Sequence, residues 1–90
     1  MTETIESMRK RLSMRSWRRG TKEMDLVLGP YADAHLAAMT PAQLAMYDQL
    51  LDENDTDLWP MVLGQQPAPP VLAALMAEIA GFARIRLARA

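Results

Sequence analysis

"RSWRRGTKEMDLVLG", Arg15 to Gly29, decides the fold, because one helix ends and another begins inside it. Gly20 follows a basic turn, Arg15, Arg18 and Arg19, as expected at a helix C-terminus. Glycine takes a left-handed conformation without a Cβ clash, and cations complement the negative end of the helix dipole. Thr21 can then cap a second helix that has Glu23 and Asp25 in its first turn, where carboxylates are favoured. Upstream, Ile5, Met8 and Leu12 at i, i+3 and i+7 define one stripe of a first helix running to about Trp17. Met14 and Trp17 fall off that stripe, so either a second face is buried or these two side chains stay accessible. Downstream, Met24, Val27, Leu28, Tyr31 and His35 share an inner face, and Gly29-Pro30 predicts a kink, since Pro30 crowds the carbonyl of Leu26.

The same grammar continues to the C-terminus. Thr40, Pro41 and Gln43 supply an N-cap, a first-position proline and a capping box for a third helix. Leu44, Tyr47 and Leu51 form its stripe, and it should end near Asn54. "DTDLWPMVLG" predicts a short fourth helix with Asp57 as cap, Pro60 in the first turn and Gly64 as stop. "QQPAPP" reads as a stiff linker over residues 65–69. A final helix spanning 70–90 turns Leu72, Leu75, Ile79 and Phe82 inward and leaves its arginine tail solvated. Strand alternation is nearly absent, so the expected fold is all-α: a small single-domain five-helix bundle over residues 1–90. Met8, Met24, Met46, Met76 and Trp59 read as core filler.

Half of the 90 residues are apolar, enough for one core. With no cysteine and one histidine, disulfides and zinc clusters are excluded. No apolar stretch approaches the roughly 20 residues of a bilayer-spanning helix. No Arg-rich, acid-poor transit segment opens the chain, which sets the expectation of a bacterial cytoplasm. No catalytic triad, glycine-rich phosphate loop or EF-hand is present. His35 reads as a packing residue, and Asp48, Asp52, Glu53, Asp55 and Asp57 as a solvated face. Charge is polarised: residues 1–23 carry seven Lys/Arg against three acids, and residues 24–83 carry eight acids and no Lys or Arg. Such a field steers association, which suggests a binding protein.

The block from Arg9 to Lys22 has three readings: a solvated helix, a nucleic-acid arm, or a protein dock in which Trp17 is an anchor. Glu23 and Asp25 stand beside the arginines and would repel phosphate, which favours the dock over the arm.

The string "RSWRRGTKEMDLVLGPYADAHL", followed by "DLWPMVLG", resembles the FAD assembly factors called SdhE. The family's Arg-Gly-x-x-Glu signature is matched by Arg19, Gly20 and Glu23, continued by Met24 and Asp25, and the resemblance covers roughly residues 8–64. The sequence departs from the family in carrying Pro60 inside the short fourth helix and in extending the last helix through "RIRLARA". The resemblance implies an accessory chaperone, not an enzyme. It would bind the flavoprotein subunit of succinate dehydrogenase, in some bacteria also fumarate reductase, and promote covalent attachment of FAD to a histidine of that subunit. No cofactor is stably bound by the factor itself, because FAD belongs to the partner. Positive groups of the flavoprotein would stabilise the charge developing on the isoalloxazine, and the factor would hold the flavoprotein's domains in that geometry. Carried onto this chain, Gly20 lets the turn lie flat against the partner, and Arg19 and Glu23 make polar contacts to it. Asp25 either joins that patch or simply favours the helix N-terminus, and Arg15, Trp17, Arg18 and Lys22 form the rim. The competing structural reading is an Arg19–Glu23 ion pair across the turn. The expected oligomeric state is a monomer or weak homodimer, no nucleic acid is expected, and the alternative function is an antitoxin-like or nucleic-acid-binding regulator.

Overall fold

Three threonines set the helix starts. Thr4 caps α1 (Ile5–Trp17) by accepting from the Ser7 amide at 3.0 Å, and Thr21 caps α2 (Lys22–His35) through Met24. Thr40 caps α3 (Pro41–Leu51), where both halves of the capping box form: Gln43 N to Thr40 Oγ1 at 3.2 Å and Thr40 N to Gln43 Oε1 at 2.8 Å. A computed structural model describes residues 3–88, and the expectations that fall on residues 1, 2, 89 and 90 lie outside it. Five α-helices form a single helical domain, with α4 at Asp55–Val62 and α5 at Ala73–Ala88; 3-10 turns follow α2 (Leu36–Ala38) and precede α5 (Pro70–Leu72). Among the described residues there is no strand, and no helix is long and apolar enough to cross a membrane.

α1 and α2 form an antiparallel hairpin, α3 packs against α1, and α5 lies on α2 and α4. Their shared core is Leu12, Leu28, Tyr31, Tyr47, Leu58 and Ile79, with Met24 and Met76 filling between them. Met8, Met46 and Trp59 are only partly buried and pack on its edge, as do Leu75 and Phe82. α2 runs through Gly29-Pro30 as one helix; the Leu26 residue, whose carbonyl Pro30 cannot serve, is exposed and can turn to water.

Two helix boundaries depart from the sequence expectation. α3 stops at Leu51, three residues short of Asn54, because the carbonyls of Leu51 and Glu53 are taken by arginine side chains of the first segment. The cap of α4 is Asn54, not Asp57, since the amides of Asp57 and Leu58 both bond the Asn54 carbonyl at 2.9 Å. Pro60 therefore sits inside α4, where the carbonyl it cannot serve belongs to the exposed Thr56. Gly64, at φ +75°, ends α4 in a Schellman motif, with Gln65 N bonding Pro60 O and Gly64 N bonding Met61 O.

One polar knot lies in the core. The buried Ser16 hydroxyl bonds the Leu12 carbonyl at 2.7 Å and the Tyr47 phenol at 2.6 Å, so the C-terminal end of α1 is pinned to α3. Burial pushes the Tyr47 phenol up to about 12, against the lowering influence of Ser16, Arg19 and Arg15. Tyr47→Phe removes this link and should lower stability by about 1 kcal/mol in urea unfolding, with helicity unchanged.

Candidate functional site

The turn between α1 and α2 is built by a ladder of arginines. Arg11, Arg15 and Arg19 recur every four residues: Arg11 and Arg15 share one face of α1, and Arg19 lies in the turn just past its end. Arg11 reaches both Asp48 oxygens at 3.0 Å and also Glu3, and Arg15 bonds Asp48 at 2.8 Å, Asp52 at 3.0 Å and the Leu51 carbonyl at 3.0 Å. Arg19 is the innermost: its guanidinium donates to Asp55 at 2.9 Å, to the Leu51 carbonyl at 2.7 Å and to the Glu53 carbonyl at 2.6 Å. Both side chains of the Arg19–Asp55 pair are only 9% exposed. These contacts satisfy carbonyls that the end of α3 leaves without helical partners. One further arginine of the segment, Arg9, is engaged too, holding the carbonyls of Leu36 and Met39.

This arrangement corrects several sequence expectations. Arg19 does not project outward, and it forms no ion pair with Glu23; its partner is Asp55, 36 residues on. Arg15 turns toward α3 and does not form a rim. Asp25 is neither a surface contact nor only a helix-dipole partner: its carboxylate accepts the Arg19 amide at 2.6 Å and closes the turn. Asp48 and Asp55 are not a solvated face, since each is largely covered and accepts an arginine, whereas Asp52 accepts from Arg15 but stays 72% exposed.

What remains on the surface is a tight corner. Gly20 adopts φ +104° and an added Cβ would meet no atom within 4 Å, so the position demands glycine for its backbone conformation and faces open space. Arg18, Lys22 and Glu23 are exposed, with no hydrogen bond or ion pair among the described residues. Trp17, 40% exposed, lies over Gly29, where a Cβ would clash with the indole ring, and donates Nε1–H to Asp33 at 3.2 Å. Helical spacing extends this face: exposed Met14 is three residues before Trp17 on α1, and exposed Leu26 is three before Gly29 on α2. Leu26 was the residue that sequence reasoning missed. Its signal is present, because it stands one step off the 24–27–28–31 stripe. The structure thus leaves Trp17, Arg18, Gly20, Lys22 and Glu23 exposed, and ties Arg15, Arg19 and Asp25 to partners within the chain.

His35 stacks on Tyr31 with ring centroids 4.2 Å apart and bonds the Tyr31 carbonyl through Nδ1 at 3.0 Å, an aromatic packing role. Among the described residues no group of three His, Asp or Glu side chains converges to hold a metal. A slot of about 510 Å³ lies between α3 and α5, lined by Glu78 with no Lys or Arg, and so it does not fit the diphosphate of a flavin dinucleotide.

Fold and corner define a small all-helical module whose distinctive feature is a braced surface turn. Residues 10–83 match the family model described as flavinator of succinate dehydrogenase, and the chain belongs to that family. It is 47% identical over 57 residues to the mitochondrial succinate dehydrogenase assembly factor 2 of Aspergillus terreus, covering 63% of this chain and 19% of that protein. The factor of the same name from Meyerozyma guilliermondii is 46% identical over 57 residues, 63% of this chain and 42% of the relative; that from Candida glabrata is 39% identical over 71 residues, 79% and 46%. The matches thus span less than half the length of these relatives.

Two outcomes follow from the ladder. Arg19→Ala strands the buried Asp55 carboxylate and the Glu53 carbonyl, and should cost about 3–5 kcal/mol in chemical denaturation. The Arg11 hydrogen bond, with Arg15 alongside, holds the Asp48 carboxyl below its ordinary value of 3.8, and Arg11 does the same for Glu3. A carboxylate depressed in the folded state contributes stability that is full above its ordinary value and lost as pH falls through the lower folded one. Melting temperature should therefore fall below about pH 4, and Asp48→Asn should flatten that fall.

Proposed function

We propose that the corner is the docking surface for the flavoprotein subunit of succinate dehydrogenase, and that the bound factor promotes covalent attachment of FAD to that subunit. The flavin and the bond-forming chemistry belong to the client. Flavin attachment there is a reaction of the isoalloxazine methyl group with a histidine. This chain's residues supply shape and orientation. Gly20 permits close backbone approach, Glu23 and the cations Arg18 and Lys22 offer charge-assisted contacts, and Trp17 with Leu26 supplies apolar area.

The observation that carries this reading is the state of the turn in the matched family segment. Gly20, Lys22 and Glu23 face solvent with no internal partner, and the Arg19 side chain is wholly engaged in holding them there. Membership of the flavinator family and the names of its relatives, succinate dehydrogenase assembly factors, support the choice of client. A nucleic-acid reading is weakened by the same geometry: Arg9, Arg11, Arg15 and Arg19 already bind carboxylates and carbonyls, leaving few N-terminal cations for phosphate.

The test is in-gel flavin fluorescence of the succinate dehydrogenase flavoprotein, in cells lacking this protein and complemented with variants. Glu23→Ala should keep the helical fold and melting temperature yet reduce covalent flavin several-fold. Gly20→Ala should also keep the helical fold and reduce covalent flavin, but with a lowered melting temperature, at a cost of about 1–2 kcal/mol for the strained backbone. Normal flavin in both variants, at equal factor levels, removes the corner from the mechanism. The same gel for fumarate reductase reads whether it is a second client.

A further inference from the structure

The slot between α3 and α5 shares no residue with the corner and has a different chemistry. Its floor is Tyr31 and His35, its sides carry Met39, Met46 and Leu75, and its one formal charge is Glu78. Glu78 is exposed and forms no ion pair among the described residues. Burial first, and then the neighbouring Glu78 carboxylate, pushes the Tyr31 phenol above the ordinary tyrosine range. An occupant must therefore bring apolar area flanked by a cation.

The outer face of α5 offers that combination on the same helix. Ala74, Ala77, Glu78, Arg84 and Ile85 are all exposed, Ile85 by 58%, and the half-buried Gly81 stands between the acid and the base. A Cβ at Gly81 would meet no atom within 4 Å, so a second backbone can approach there. The spacing is self-complementary. Glu78 and Arg84 each lie three residues from Gly81, and Ala77 and Ile85 each lie four. Reversing the helix about Gly81 therefore sets acid on base and small on large, the property of an isologous contact. A parallel pairing would instead place Glu78 on Glu78.

We propose that α5 pairs antiparallel with α5 of a second copy about a two-fold axis at Gly81. Glu78 of each copy faces Arg84 of the other, and Ile85 of each covers Ala77 and the rim of the other's slot. This inference does not rest on the corner or its client, and the dimer leaves both corners free.

The chain has no cysteine, which gives a clean probe. Gly81→Cys, air-oxidised, should run as a disulfide dimer on a non-reducing gel, while exposed Ser7→Cys on α1 should not. In sedimentation equilibrium of the full chain, Glu78→Arg and Arg84→Glu should each weaken dimerisation by at least about tenfold, with helicity by circular dichroism unchanged. The double variant Glu78→Arg/Arg84→Glu should restore it, which a merely damaged fold would not. A wild-type chain that stays monomeric to high micromolar concentration, single variants that dimerise normally, or a double variant without rescue each overturns the proposal.

Discussion

The buried Arg19–Asp55 pair is the constraint on which the rest of the molecule depends. A guanidinium presents its donors in a fixed planar fork, and here three directions of that fork are occupied by Asp55, Leu51 and Glu53. The three acceptors come from the end of α3, the following loop and the start of α4, so one side chain fixes where three segments meet. Its own backbone amide is tied to Asp25 in α2. A buried ion pair is a poor source of net stability compared with a well-packed apolar replacement, but it defines geometry sharply, because misplacing it strands desolvated charge. The turn at Gly20 is accordingly held by a residue whose side chain is engaged within the chain.

The same logic explains why the chain's polarised charge does not become a polarised surface. A net positive N-terminal segment and an acidic middle look like opposite poles in sequence, yet α1 and α3 lie side by side, and Arg11 and Arg15 meet Asp48 and Asp52 across the seam. Most of the apparent basic arm is spent within the fold. The cations left at the corner, Arg18 and Lys22, are those out of step with the i, i+4, i+8 ladder.

This separates what was legible in the sequence from what was not. Capping, glycine stops and the helical period are local signals, and Thr21, Thr40, Gly20 and Gly64 act as the residues around them imply. Boundaries blurred where several capping residues compete, as in Asn54, Asp55 and Asp57. Arg19 was misread for a different reason. Its nearest acid in sequence is Glu23, across the turn, whereas the acid it binds is 36 residues away, and no spacing rule reports a partner at that distance. Trp17 was half legible: its place off the apolar stripe marks it as accessible, but that Gly29 is its seat emerges only when α1 and α2 are laid together.

Two glycines therefore shape the corner from opposite sides. Gly20 is needed for its positive φ and leaves a gap on the outside, whereas Gly29 has an ordinary helical backbone and leaves a gap on the inside, filled by the Trp17 ring. With its face on Gly29 and its N–H on Asp33, the indole is partly immobilised before any partner arrives. Ordering a large side chain at an interface typically costs about 0.5–1.5 kcal/mol, and here much of that cost is met during folding. The buried arginine does the same for the backbone of the turn. A surface so prepared can bind with few direct contacts, because little of it remains to be ordered on binding.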